Sequence, residues 1–183
     1  MKVLIIIDMQ NDFLTGTLGT AEAQGIISNV IKRINESKDD MIIFTQDTHH
    51  DNYLTTPEGI KLPVEHCIKG THGWEIHEEI LNAWKENKNT IIIPDIKNNS
   101  FKKPIFGSTD LVKFLEGMKE KIGEIELIGV CTDICVVSNA IMIKNTLPDI
   151  RIVVDARCCA GVTPQSHREA LNIMRMCQID VLE

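Results

Sequence analysis

The chain predicts a single-domain, three-layer α/β/α fold built on a doubly wound, mainly parallel six-stranded sheet. Three observations carry this prediction. Short β-branched apolar runs alternate with longer amphipathic stretches, the pattern of a parallel sheet covered by helices on both faces. The length, 183 residues, suffices for one domain with a sizeable core, and no repeat, low-complexity tract or linker divides it. Apolar residues make up 43% and charged residues 25%, ordinary for a globular protein.

The elements follow in order from periodicity. Residues 3–7 are continuously apolar and read as a buried strand. Residues 21–37 carry Ile26, Ile27, Val30, Ile31 and Ile34 at helical spacing. Residues 41–45 form a second strand, and residues 75–86 place Ile76, Ile80, Leu81 and Trp84 on one helix face. A third strand is expected at residues 90–93, closed by Pro94. Residues 111–121 are helical, with Leu111, Leu115 and Met118 inward. Residues 124–130 are the fourth strand, residues 133–145 a helix and residues 150–154 the fifth strand. Thr163 and Pro164 open a helix over residues 164–177 as N-cap and first helical residue. Residues 179–182 form a short last strand. The stretch from 46 to 73 lacks periodicity and is too long for a simple connection, so a functional loop is expected there.

Several function classes are excluded by composition. A net charge of -7 argues against a nucleic-acid or anionic-membrane binder, which shows a basic face. No run approaches the ~18 apolar residues of a membrane span, and the opening apolar run stops at Asp8, too soon for a secretory signal. The six cysteines are therefore expected reduced and the location cytoplasmic. The adjacent Cys158 and Cys159 read as structural thiols.

Ligands of doubly wound sheets bind beyond the carboxyl ends of the strands, so residues following each strand are the candidates. Asp8 ends the first. Asp47 and His49 end the second. A lysine-containing segment, KNNSFKKPIFGSTDL, follows the third. Cys131 and Cys135 follow the fourth, where a strand runs straight into a helix and places Cys135 in its first turn. A thiol there lies near unpaired N–H groups and the positive end of the helix dipole, which favours thiolate. Most cysteines are small buried hydrophobes, so this segment alone makes Cys135 a candidate only. A carboxylate able to take the thiol proton, an ammonium that stabilises both ions and backbone N–H groups for an oxyanion together suggest acyl transfer through a thioester.

A second constellation lies in the long loop. Asp47 and His49 share one face of an extended segment, and Glu58 and His66 follow. Two imidazoles and two carboxylates suit zinc, manganese or iron, although loop histidines and acids are common without a metal. His50, His72 and His77 read as solvated, and His167 as a structural partner.

These residues resemble the isochorismatase-like cysteine hydrolases, and among them the nicotinamidases. The resemblance covers nearly the whole chain. It rests on DMQNDF at residues 8–13, TQDTH at 45–49, PVEHCIKGTHG at 63–73, FGSTDL at 106–111 and GVCTDICV at 129–136. It implies a triad of Asp8 as general base, Cys135 as nucleophile and a lysine between them. Lys103 is the chosen lysine, with Lys102 and Lys97 as alternatives. It implies a cis peptide between Val130 and Cys131, and an oxyanion hole formed by the Cys131 and Cys135 N–H groups. Metal ligands fall on Asp47, His49 and His66, with Glu58 in some members, and zinc is the expected ion. The implied reaction is hydrolysis of nicotinamide to nicotinate and ammonia in NAD salvage, by a homo-oligomer. Isochorismatase activity itself is not implied, since that branch lacks a nucleophilic cysteine. Two departures bear on substrate. KKPIFGS replaces the family's usual lysine segment, and the stretch just before His66, residues 61–65, holds no aromatic residue. Ring contacts then fall to Phe13, Phe106 and Val130, with Trp74 as a further candidate. The alternatives are a hydrolase of another small amide or carbamoyl compound, and a non-catalytic ligand-binding protein on the same scaffold.

Overall fold

Strand β1 (Lys2–Ile7) lies at the centre of a six-stranded sheet in a computed structural model that describes residues 1–38 and 41–183. Its residues Val3 to Ile7 are fully buried, as a strand covered on both faces requires. Each such aliphatic side chain contributes about 1.5–3 kcal/mol of transfer free energy. Strand β1 pairs with β2 (Met41–Asp47) on one side and with β4 (Glu124–Val130) on the other. Strand β3 (Ser100–Lys103) forms one edge, beside β2. Strands β5 (Arg151–Ala160) and β6 (Asp180–Leu182) complete the other side. The order is β3-β2-β1-β4-β5-β6 and every pairing is parallel. The chain winds outward from β1 to β3, then restarts at β4 on the opposite side. The switch in winding therefore falls between β1 and β4, where such sheets open a crevice.

The helices are α1 (Asn11–Leu14), α2 (Ala21–Gly25), α3 (Ile27–Glu36), α4 (Pro57–Lys61), α5 (Glu78–Glu86), α6 (Thr109–Gly117), α7 (Val137–Thr146) and α8 (Pro164–Met176). Residues 21–37 are thus two helices rather than one. Gly25 ends the first, and Ile26 serves both as its C-cap and as the start of the second. Thr163 caps α8 through the Ser166 N–H, with Pro164 in the first turn.

The expected third strand is corrected. Residues 90–93 hold no strand, and the strand is β3, ten residues further on. Asn99 explains the displacement. Its fully buried amide accepts from the Ile93 N–H at 2.8 Å and donates to Ile91 O at 2.7 Å and Ile42 O at 2.9 Å. One side chain thereby satisfies the groups that a strand at 91–93 would have paired in the ladder. Three further boundaries differ. Strand β5 extends to Ala160, α5 starts at Glu78, and α6 runs only to Gly117 before a 3₁₀ turn. The long loop holds β2's last residues, a 3₁₀ turn at Tyr53–Thr55 and α4. The segment after β4 begins as a π-helical turn, Thr132–Val136, before α7.

Candidate active site

Three side chains meet at the mouth of the crevice. Asp8 follows β1 with a left-handed φ of +47°. Lys103 ends β3, where the register sets it opposite Asp47. Cys135 lies in the π-helical turn after β4. All three are buried. Lys103 Nζ pairs with Asp8 Oδ2 at 2.6 Å and donates to Cys135 Sγ at 3.6 Å. Lys102 points to the other face of β3, with its ammonium 5.2 Å from the Trp74 ring centroid. Lys97 lies in the 3₁₀ turn before β3. Of the three lysines considered, the structure brings Lys103 alone to Asp8 and Cys135.

Burial shapes the electrostatics. It raises the Asp8 carboxyl, with Asp47 adding to the effect, while Lys103 and the Thr45 hydroxyl oppose it. Burial and the Asp8 charge push the Cys135 thiol well above the usual cysteine range, against the pull of Lys103. The resting sulfur is thus a thiol, and the thiolate expected from the helix start is not formed in advance. Burial disfavours the Lys103 ammonium, but the acids around it, Asp8 foremost, outweigh that and hold it above the usual lysine range. The Val130–Cys131 peptide is cis, as the resemblance implies. Burial pushes the Cys131 thiol up to about 12.

The loop residues form a second cluster against the first. One donor atom from each of Asp47, His49, Glu58 and His66 lies within 4.8 Å of the others. Both histidines turn Nε2 inward. His49 Nε2 lies 3.1 Å and His66 Nε2 3.6 Å from Asp47 Oδ2, and they lie 3.7 Å and 3.8 Å from Glu58 Oε1. His66 Nδ1 is 2.8 Å from Val64 O. A carbonyl only accepts, so Nδ1 carries the proton and Nε2 is left to face the cluster. Burial would raise Asp47, but hydrogen bonds from His49 and His66 and the Lys103 charge hold it well below the usual carboxylate range. Two imidazole nitrogens and two carboxylate oxygens in a buried pocket fit a divalent zinc, manganese or iron ion. Asp47 belongs to both clusters: Oδ2 faces the histidines while Oδ1 lies 3.4 Å from Lys103 Nζ.

The candidate ring contacts divide. Phe13 packs its ring 5.6 Å from that of His66. Val130 is buried at the end of β4, and Phe106 is 40% exposed on the loop after β3. Trp74 does not join them. Its indole N–H donates to the Thr48 hydroxyl, its carbonyl accepts from Gln10 and Gln46, and its ring lies under Lys102. It lines a separate groove of about 1040 Å³ along the β3 edge, which contains none of the clustered residues. His50 and His72 are exposed, as expected. His77 is half-buried, with Nδ1 enclosed and without a hydrogen-bond partner among the described residues, because its backbone is tied to Met9 O ahead of α5. His167 Nδ1 lies 2.8 Å from the Thr132 hydroxyl and ties α8 to the π turn. All six cysteines are free, and Cys158 and Cys159 are buried.

Four supporting residues carried no periodic signal. Tyr53, the one tyrosine in the chain, is fully buried between the His49 and His66 rings at 4.6 and 4.9 Å and donates to Leu62 O. Its position between two candidate ligand histidines was the available clue. Asp12 accepts from the Cys67 N–H at 2.7 Å, anchoring the chain beside His66. Thr45 bonds Asp8. Asn139, fully buried, donates to Cys135 O and Phe106 O and accepts from the Ser108 N–H, joining the nucleophile turn to the FGS loop.

The isochorismatase domain model matches residues 2–183. The chain belongs to the isochorismatase family. It is 30% identical to the "uncharacterized isochorismatase family protein PncA" of Bacillus subtilis (strain 168), over 93% of this chain and 92% of that protein. It is 27% identical to a nicotinamidase of Saccharomyces cerevisiae (strain ATCC 204508 / S288c), over 77% of this chain and 80% of the relative. The crystal structure of nicotinamidase PncA from Bacillus subtilis superposes with a TM-score of 0.80 at 28% identity, covering 100% of this chain and 99% of that one. Within the isochorismatase family these relatives mark the chain as an amidase-type hydrolase.

Proposed function

We propose that this isochorismatase-family hydrolase converts nicotinamide to nicotinate and ammonia through a thioester on Cys135. The observation that supports it most is the contact of two clusters in one buried site, Asp8–Lys103–Cys135 and Asp47–His49–Glu58–His66, through the shared Asp47 carboxylate. The nicotinamidase relatives support the same reading.

Asp8 is the general base. It takes the Cys135 proton as the sulfur attacks the carboxamide carbon, so the S–H bond breaks while the S–C bond forms. Lys103 offsets the charge on both. The Cys131 and Cys135 N–H groups receive the developing oxyanion. Asp8 passes its proton to the nitrogen, which leaves as ammonia. It then takes a proton from the water that attacks the thioester and returns it to the departing sulfur, releasing the carboxylic acid, which ionises as the freed ammonia becomes ammonium. Phe13, Phe106 and Val130 wall the ring pocket. A divalent ion held by Asp47, His49, Glu58 and His66, zinc foremost, would supply a Lewis acid for a pyridine nitrogen. In a cytoplasmic setting the reaction would serve NAD salvage.

Ammonia release from nicotinamide, pyrazinamide, benzamide and a carbamoyl compound tests the reading. Nicotinamide and pyrazinamide are expected to turn over, with benzamide, which lacks a ring nitrogen, at least about tenfold slower. Turnover of the carbamoyl compound alone would move the substrate class. Silence across the whole panel would sink the hydrolase mechanism.

A further inference from the structure

We propose that Thr45 is the positioning residue that gives Asp8 its geometry as a base and selects which carboxylate oxygen receives the thiol proton. This deepens the reading above and rests on the roles given there to Asp8 and Cys135. Thr45 lies on β2, on the same face as Asp47. It is fully buried, and both of its side-chain hydrogen bonds go to Asp8. The hydroxyl accepts from the Asp8 N–H at 3.2 Å and donates to Asp8 Oδ1 at 2.6 Å. An ionised carboxylate only accepts, so the hydroxyl proton belongs to the bond with Oδ1.

Three consequences follow from this one contact. Asp8 holds a left-handed φ of +47°, an unfavourable conformation for a residue with a Cβ, and the bond from its N–H to Thr45 helps keep it there. Oδ1 is already engaged and can take a proton only by giving up a buried hydrogen bond. Oδ2 remains, clear of Thr45 and paired with Lys103 Nζ at 2.6 Å, the ammonium that also donates to Cys135 Sγ, and is the atom to which the Cys135 proton goes. A valine at position 45 keeps the shape and loses the hydroxyl. It leaves the Asp8 N–H and Oδ1 without the Thr45 hydroxyl in a buried site and lets the carboxylate rotate.

The test uses the full chain loaded with zinc. It compares Thr45→Val, Thr45→Ala and Thr45→Ser with the wild type, and metal content and thermal transition are recorded for each. The readouts are the rate of Cys135 alkylation by iodoacetamide at neutral pH, followed by mass mapping, and kcat and KM on nicotinamide. Valine and alanine are expected to slow both alkylation and kcat by about tenfold or more, the scale of lost acid–base assistance, with KM within about twofold. Serine, which keeps the hydroxyl, is expected to stay within about threefold of the wild type on both. Wild-type alkylation rates in the valine and alanine variants would overturn the assignment. So would a serine variant as slow as the valine one. Should the valine and alanine variants fail to fold, the serine variant decides by the same threshold. A wild-type Cys135 no faster than the other five thiols would remove the nucleophile, and Thr45's role with it. Fast alkylation without nicotinamide hydrolysis would remove only the substrate and leave the Thr45 comparison intact.

Discussion

Lys103 carries its ammonium into a pocket walled by Asp8, Asp47 and Cys135, and that placement orders the acid–base chemistry. Two ions taken out of water are costly unless paired, and here the pairing is close. Activity requires Asp8 ionised, so the rate rises with pH through its pKa. Burial raises that pKa, so the acid limb of kcat/KM is expected above the ordinary ~3.9, displaced toward neutrality. A pH–rate profile with its midpoint at or below that value would contradict the burial argument. Cys135→Ala is expected to lower kcat by at least about 10⁴-fold while leaving the circular dichroism spectrum and metal content unchanged. A variant that keeps near wild-type turnover would exclude the thiol. Asp8, Cys135 and the four loop donors were legible because each follows a strand or carries a donor atom in a loop of unusual length. The protonation of the resting thiol was not legible. It comes from burial beside Asp8, which no local pattern at the start of a helix records.

At the level of elements, the edge strand is the instructive case. The isoleucines at 91–93 form the more strand-like run, yet β3 is SFKK, with Phe101 and Lys103 buried and Lys102 exposed. Periodicity over four residues is weak evidence, and the buried Lys103 breaks the apolar half of it. The better signal was the Asn98–Asn99 pair. Both residues adopt left-handed φ, of +55° and +51°, which asparagine tolerates, and they turn the chain into β3. Asn99→Ala is expected to cost about 2–4 kcal/mol, because Ile93 N and two carbonyls lose a buried partner together. Denaturant midpoints measure this, and a shift corresponding to under about 0.5 kcal/mol would show that Asn99 does not hold the edge. Activity should fall in parallel, since β3 carries Lys103.

Across the whole molecule, the reversal of winding between β1 and β4 sets Asp8 and Cys135 on either side of one crevice, and this much was readable from the alternation of strands and helices. The contact between that crevice and the loop cluster was not, because it depends on Asp47 and Lys103 being paired across β2 and β3. A cluster that binds an ion only when folded also couples ion binding to stability. Removing zinc by chelation is expected to lower the thermal transition and zinc addition to restore it, with about 4 kcal/mol at stake when free zinc is a thousandfold above its dissociation constant. Identical melting with and without zinc would exclude tight binding at the loop cluster. Among the described residues no helix is long and apolar enough to cross a membrane.

Asp47 is common property of two neighbours, one oxygen turned to the imidazoles and the other to the amine. Mutagenesis at that position therefore strikes ion retention and nucleophile activation in a single stroke, and a dead Asp47→Ala enzyme says nothing about which was needed. His66→Ala, which removes a donor from the ion cluster and leaves the amine in place, and Lys103→Met, which removes the amine and leaves all four ion donors in place, pull the two contributions apart when ion content is measured beside turnover.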